Sequence, residues 1–455
     1  MPRLWTISEF EGFYAGTEDS AVSVQAGLHP IPRTYFSALK ELLGTNSDDA
    51  ENTQPVFSLS HRRGLGDVVQ ARNHVGVVSF ADGSQIEILP KLVRSFAHRG
   101  DSENNRVRGL LLKMLAAAFD IAPVFHDETD LRLSRLPLLE AFFRTFLDTI
   151  GRLAKRGLAG GYVRLEGNER FFKGKLLVAE HIRRNLVRRE RFYVSHDAFL
   201  TDTPANRILR TGLEFVRSRT AMEENRRDSI RLLSVFEDVP PSTDLESDFA
   251  ACKTPTRDAV YREAVAWCDV FLRGRSLANL PGTRNARAFL FPMEKVFERY
   301  VARTMRRLLS ETNPELTVES QTKSIWLSTL PETPKDTLVV QPDIIVRRTD
   351  DGMAVAVLDT KWKLLDPDAQ HFGVSQSDFY QLAAYQRHHD VAETVLVYPS
   401  HDALGPLANT SPVYLHQAGT PRIRVVFFDL DPRRPDASKT SAKGILSNLI
   451  HNSEP

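Results

Sequence analysis

The sequence predicts an α+β multidomain protein: a β-rich N-terminal domain over 1–100, a helical middle domain over 101–279 and a C-terminal α/β domain over 280–455. Three observations carry this reading. A chain of 455 residues exceeds what one compact core organises. β-branched runs crowd the first hundred residues, whereas apolar spacings of three and four take over beyond Arg106. In the last third the two periods alternate, giving two strands, a helix and a strand.

The N-terminal segments VVQARNHVGVVSF and QIEILPKL read as strands, with ADG between them as a turn. Polar stretches at Ser47–Gln54 and His98–Asn105 read as a loop and a domain boundary. VRGLLLKMLAAAF and LLEAFFRTFLDTIGRLAKRG then read as helices, the second closed by Gly157. GKLLVAEHIRRNLVRRERFYV reads as a further helix bearing Arg183, Arg184, Arg188, Arg189 and Arg191. Those arginines suit DNA or an acidic protein partner, and equally a solvated face paired with Glu190 and nearby acids. FLFPMEKVFERYVARTMRRLL opens the last third as an amphipathic helix with Phe297, Val301 and Met305 on one face.

Composition narrows the function by exclusion. The chain is 42% hydrophobic and 26% charged, as ordinary globular proteins are, and its net charge of +1 gives no overall pull on nucleic acid. Cys252 and Cys268 are too few for a disulfide framework and lack zinc-site neighbours. MPRLWTISEFEGFY has acids where a signal peptide needs an apolar core, and no run approaches the roughly 20 apolar residues of a membrane span. A cytoplasmic protein with no membrane role is expected. No internal repeat, GxxxxGK[ST], GxGxxG, HExxH or GxSxG occurs, so any nucleotide hydrolysis falls to a partner.

The chemistry concentrates in TLVVQPDIIVRRTDDGMAVAVLDTKWKLL, two strands joined by a loop at Asp350, Asp351 and Gly352. That loop sets Asp343 opposite Asp359, with Lys361 on the same face. Two carboxylates side by side are costly unless a cation neutralises them, and Mg²⁺ takes carboxylate oxygens while keeping its own waters. Such an ion activates water and stabilises a pentacovalent phosphate, which is phosphodiester hydrolysis. A short PD…DxK pattern also arises as a surface ion pair of Asp359 and Lys361. The apolar runs LVV, IIV and AVAVL around it favour chemistry, because they mark buried strands. Downstream, SQSDFYQLAAYQRHH is helical, with Ser377 or Asp378 near its start and Gln381 and Tyr385 four apart on one face. His388 and His389 read as surface residues of that helix. Upstream, Glu298 is the acid on the opening helix that can join the metal.

Pro342-Asp343, Asp359-Thr360-Lys361 and Gln381 to Tyr385 together resemble the PD-(D/E)xK nuclease superfamily, in its RecB-like branch. RNHVGVVSFADGSQIEILPKL, the arginine-rich segment through ILRTGL, FPMEKVFERYV, LDTKWKLLD and SQSDFYQLAAY resemble McrC, the nuclease subunit of the McrBC modified-cytosine restriction system. The resemblance implies a restriction-endonuclease-like C-terminal domain, catalysis by Asp343, Asp359 and Lys361, and support from Gln381, Tyr385 and Glu298. It also implies a McrB-like AAA+ GTPase partner that selects methylated DNA and on which the N-terminal β region and helical middle dock. A stand-alone RecB-like repair nuclease, or an activator of a AAA+ motor without cutting of its own, fits the same residues.

Overall fold

In a computed structural model of the chain, the residues described are 2–17, 27–44, 55–92, 100–118, 133–252, 258–273, 286–321, 324–328, 337–409, 412–415, 422–430 and 437–451. The loop expected at Ser47–Gln54 lies outside them. The chain is a mixed α+β protein of two compact units, Met1–Leu138 with Ser276–Pro455, and Leu139–Arg275. The second unit therefore interrupts the first in sequence, which a reading from left to right divides into three.

The N-terminal part of the first unit contributes strands β1 (Leu4–Ser8), β2 (Gly12–Ala15), β3 (Leu28–Ile31), β4 (Phe57–Arg62), β5 (Gly66–Ala71), β6 (His74–Phe80) and β7 (Gln85–Leu89), and helices α1 (Arg33–Gly44) and α2 (Asp101–Ala118). β3, β2, β5 and β4 form one sheet, and β1, β7 and β6 part of another. The strands expected from VVQARNHVGVVSF and QIEILPKL are present, with Gly83 of the ADG turn at φ 85°. Asp101–Asn105 do not form the expected break. They open α2, where Asp101 and Glu103 sit favourably at the positive end of the helix dipole.

The second unit holds α3 (Leu138–Arg156), β8 (Gly161–Glu169), β9 (Lys175–Leu176), α4 (Val178–Asn185), β10 (Phe192–Leu200), α5 (Pro204–Arg219), α6 (Glu223–Leu233), α7 (Leu245–Ala251) and α8 (Ala259–Arg273). Phe143 and Phe146 of α3 meet Phe271 of α8 edge to face at 5.4 and 5.5 Å, and Gly157 at φ 84° ends α3 as expected. The sheet β8-β10-β9 was not legible in a segment read as helical, because much of β8 is exposed on both faces and has no alternation to show. The arginine-rich segment is corrected too: α4 ends at Asn185, so it carries Arg183 and Arg184 but not Arg188, Arg189 or Arg191. The buried Asn185 turns the chain back, exchanging hydrogen bonds with Asn168 of β8 and donating to the Arg191 carbonyl.

The first unit resumes with β11 (Ala286–Pro292), α9 (Met293–Thr312), β12 (Leu316–Ser320), β13 (Ser324–Ser328), β14 (Thr337–Val340), β15 (Ile344–Arg348), β16 (Ala354–Thr360), α10 (Gln376–His389), β17 (Glu393–Pro399), β18 (Val413–Leu415), β19 (Arg422–Phe428) and α11 (Ala437–His451). FLFP, expected to begin the helix, is instead the end of β11, which pairs antiparallel with β6 and completes the sheet of β1, β7 and β6. Phe297, Val301 and Met305 are fully buried on one face of α9, as their spacing predicted.

A six-stranded sheet ordered β12-β15-β16-β17-β19-β18 forms the C-terminal core. Ile345, Val357, Leu396, Tyr398, Val425 and Phe427 point to the side where Leu382 and Tyr385 of α10 pack. Phe428, of opposite parity, meets Phe297 and Tyr300 of α9. α10 thus lies on one face and α9 on the other. The run read as one strand before the hairpin is two, because Pro342 has no N–H to donate; β14 pairs with β13, and β15 enters the main sheet.

Gly76 of β6 fixes the seam between the two sequence segments of the first unit. At φ 136° it brings its backbone so near β11 that an added Cβ would stand 2.0 Å from the Phe289 carbonyl oxygen. Gly76→Ala is expected to lower the unfolding free energy by about 3 kcal/mol or more, read from the urea midpoint.

Candidate active site

β15 and β16 form the expected hairpin. Ile344 pairs with Leu358, a register that sets Asp343 opposite Asp359, and one irregularity between Val346 and Arg347 precedes the turn with Gly352 at φ 69°. β16 runs parallel to β17, and the Lys361 N–H donates to the Val397 carbonyl at 2.9 Å, so the ladder extends past Thr360. Lys361 is thereby held on the α10 side, in the same direction as Asp359.

Asp359 is only 2% exposed. Its Oδ2 lies 2.7 Å from the Lys361 ammonium and has no other hydrogen-bond partner among the described residues. Burial pushes its carboxyl up to about 7; Asp343 adds to the rise and Lys361 opposes it. Asp343 accepts at Oδ2 from the Thr360 N–H (2.7 Å) and hydroxyl (2.8 Å). Burial and then Glu298 raise it to about 6 against those two bonds. Glu298, 7% exposed, comes from α9 and accepts from Gln321 Nε2 at 2.5 Å; burial is the main cause of its raised pKa, and Asp359 contributes.

Lys361 also donates to Gln381 Oε1 at 3.1 Å and stands 4.0 Å from Asp378 Oδ1. Burial opposes its charge, yet Asp359, Asp378 and Asp343 hold the ammonium pKa above its ordinary value. Gln381 donates to the Tyr385 hydroxyl at 2.6 Å, and Tyr385 donates to the Gln341 carbonyl at 3.2 Å. The chain of contacts from Asp359 through Lys361 and Gln381 to Tyr385 thus links β16 to one face of α10. That helix is capped by Ser375, with Ser377 and Asp378 in its first turn, near its start as expected. Asp378 completes the capping box, its N–H bonded to the Ser375 hydroxyl and its carboxylate to the Ser375 N–H. His388 and His389 lie half-buried at the far end of the helix.

Five residues named from the sequence therefore converge, with Glu298 close enough to act electrostatically. They do not form a finished metal cage: among the described residues no group of three or more His, Cys, Asp or Glu side chains could by itself hold a metal ion. The donor chemistry fits Mg²⁺ nonetheless, since Asp359 Oδ2, whose one close partner is the Lys361 ammonium, is a buried hard oxygen and Mg²⁺ sites are commonly completed by water and substrate phosphate.

Arg183, Arg184, Arg188 and Arg189 belong to the second unit and are exposed. Arg183 and Arg184 pair with Glu180, at 2.7 and 2.8 Å, one of the nearby acids expected to partner the arginines alongside Glu190. Reading the sequence also missed Glu9. Fully buried after β1, it accepts from the Lys91 N–H at 3.0 Å and from Trp362 Nε1 at 3.0 and 3.2 Å. Nothing in the sequence relates Glu9 to a tryptophan 353 positions away.

The fold and site together define a multidomain α+β protein with a buried acidic cluster set against a lysine at the end of a mixed sheet. Residues 69–399 match the family model described as McrBC 5-methylcytosine restriction system component, and the chain belongs to that family. Among solved structures it is similar to a chain of the refined half-complex from a tetradecameric assembly of Thermococcus gammatolerans McrB AAA+ hexamers with bound McrC. Identity there is 19% and the TM-score 0.68, over 98% of this chain and 100% of that one, a likeness of fold. A chain of the cryo-EM structure of the T. gammatolerans McrBC complex is 21% identical with a TM-score of 0.48, over 67% of this chain and 88% of that one. No curated protein matches the chain. Among the described residues no helix is long and apolar enough to cross a membrane.

Glu9 has a raised pKa of about 7, caused chiefly by burial. A carboxyl raised in the folded state stabilises the fold fully below its unfolded value, near 4.5, and that contribution is lost as pH rises through 7. Glu9→Gln keeps an acceptor without the charge. It is expected to match the parent near pH 4.5 and to exceed it by up to about 3 kcal/mol above pH 7, read from denaturant unfolding across that range.

Proposed function

We propose that this chain is a McrC-like DNA endonuclease subunit of a cytoplasmic, modification-dependent restriction system, with a C-terminal domain of the PD-(D/E)xK type. The observation that carries the reading is the convergence of Asp343, Asp359 and Lys361 at a buried strand end, inside a chain of the McrBC family. Asp343 and Asp359 would hold Mg²⁺, and Glu298 would add a third carboxylate. The ion would supply Lewis-acid stabilisation of the phosphate and a more acidic water.

The protein's own groups then have distinct tasks. Lys361, kept protonated by its carboxylate neighbours, would stabilise the charge that develops on oxygen as water attacks phosphorus. Gln381 fixes the Lys361 ammonium from one side and is itself oriented by Tyr385. Thr360 turns the Asp343 carboxylate through two hydrogen bonds.

A McrB-like AAA+ GTPase is the proposed partner, supplying selection of methylated DNA. The surface best suited to it lies in residues 161–200 of the second unit. Phe171 (81% exposed), Leu186, Val187 (90%), Val178, Ile182 and Tyr162 stand in water there, beside Arg183, Arg184, Arg188 and Arg189. Exposed apolar side chains in such number mark an interface, and the arginines give it a rim suited to an acidic partner.

Cleavage of methylated and unmethylated plasmid, with Mg²⁺ and GTP, tests the catalytic reading. Cutting is expected to require methylation and the GTPase, and to fall by on the order of 10³-fold in Lys361→Ala. Cutting by the protein alone, regardless of methylation, would favour a RecB-like repair nuclease. For the docking face, the double variant Ile182→Asp, Val187→Asp should lose co-elution with the GTPase and stimulation of GTP hydrolysis while its thermal midpoint holds. Retained co-elution would place the interface elsewhere.

A further inference from the structure

Beside the carboxylate cluster lies a cavity of about 520 Å³ whose walls come from both ends of the first unit. Lys361, Trp362 and Lys363 line it together with Phe10, Asn73 and Lys91, and so do two carboxylates, Glu294, which accepts from Asn73 Nδ2 at 3.2 Å, and Asp378, which accepts from the Ser375 N–H. The volume falls within the roughly 300–1,000 Å³ typical of small-ligand sites and is sufficient for one unstacked nucleotide.

The wall at Phe10 is built with care. Phe10 adopts φ 68°, a conformation that a bulky side chain holds only when its surroundings compel it. Here its N–H donates to the Ala71 carbonyl at 3.2 Å, and its own carbonyl accepts from Gln70 Nε2 at 2.6 Å. The Lys91 ammonium stands 5.9 Å from the centre of the Phe10 ring. Directly before Phe10, the buried Glu9 carboxylate joins the Lys91 backbone to Trp362, the residue next to Lys361. Lys363 is steadied by a 2.7 Å bond to the Gly373 carbonyl. A strained aromatic ring and two lysines are thus tied to the segment that carries Lys361.

We infer that this cavity is a subsite for the nucleotide next to the scissile phosphate, with that nucleotide's own phosphate at Lys91 and Lys363 and its base against Phe10. The inference rests on the nuclease reading above. It deepens that reading by making the N-terminal strands part of the substrate site: they grip the strand being cut, not only a protein partner. Phosphate contacts of this kind position a strand without reading its sequence, and a base stacked on one ring is accepted whatever its identity.

Thymidine bisphosphate, phosphorylated on both sugar hydroxyls, is the probe, titrated calorimetrically into the full chain with calcium in place of magnesium. Lys91→Gln keeps the backbone bond to Glu9, and Phe10→Gly removes the ring while suiting a left-handed backbone, so both should retain the parent's thermal midpoint. Each is expected to weaken binding about tenfold or more. Equal binding in both variants, or no binding to the parent, overturns the subsite. A parallel cleavage assay of Lys361→Ala with the GTPase separates the two failures: lost cutting alongside unaltered bisphosphate binding leaves the nuclease reading standing and removes the subsite alone. Persistent cutting in Lys361→Ala removes both.

Discussion

Crowding of negative charge at the end of a buried sheet is the constraint around which the first unit is arranged. Asp359 and Asp343 face each other across a hairpin, Glu298 approaches from a helix on the other side, and burial alone would drive all three toward their neutral forms. The Lys361 ammonium is the direct counterweight, and it is effective only where the extended ladder and Gln381 place it. The hairpin register, the capped start of α10 and the seating of Tyr385 all serve that placement. A single slip of register in β16 would turn Asp359 and Lys361 to the α9 side.

Much of this was legible because it is local. A Gly-bearing turn between two apolar runs determines which residues oppose each other, so Asp343, Asp359 and Lys361 could be matched from the sequence, and the four-residue spacing of Gln381 and Tyr385 showed their common helical face. What stayed hidden depends on distant segments. FLFP has no partner within its own neighbourhood, and its strand character comes from β6, some two hundred residues earlier. Glu9 is one acid among many until the chain folds it beneath Trp362. Asp378 was visible as a helix-start residue, but its approach to Lys361 depends on how α10 lies across β16 and β17. The arginine-rich segment misled for another reason: its apolar residues have helical spacing, yet Asn185 and Asn168 stop the helix through side-chain bonds that no periodicity records.

The second unit has a different economy. Its helices bury aromatic residues in the ordinary way, while the sheet of β8, β10 and β9 leaves large apolar side chains in water. A protein tolerates such exposure where something covers it in use. Chemistry and docking thus fall, in the proposed assignment, on separate units of one chain, so each can be altered without dismantling the other.

The pairing of β6 with β11 has a consequence for how the molecule comes into being. As the chain leaves the ribosome, β6 must wait for more than two hundred further residues before its neighbour exists. The intervening unit is compact by itself and can collapse during that interval. The cluster at Asp343 and Asp359 is synthesised later still, and the wall that bears Phe10 reaches it only when both termini close on each other. A truncated product would therefore have the apolar surface of residues 161–200 without any acidic cluster, so the cluster would be completed last in the life of the newly made chain.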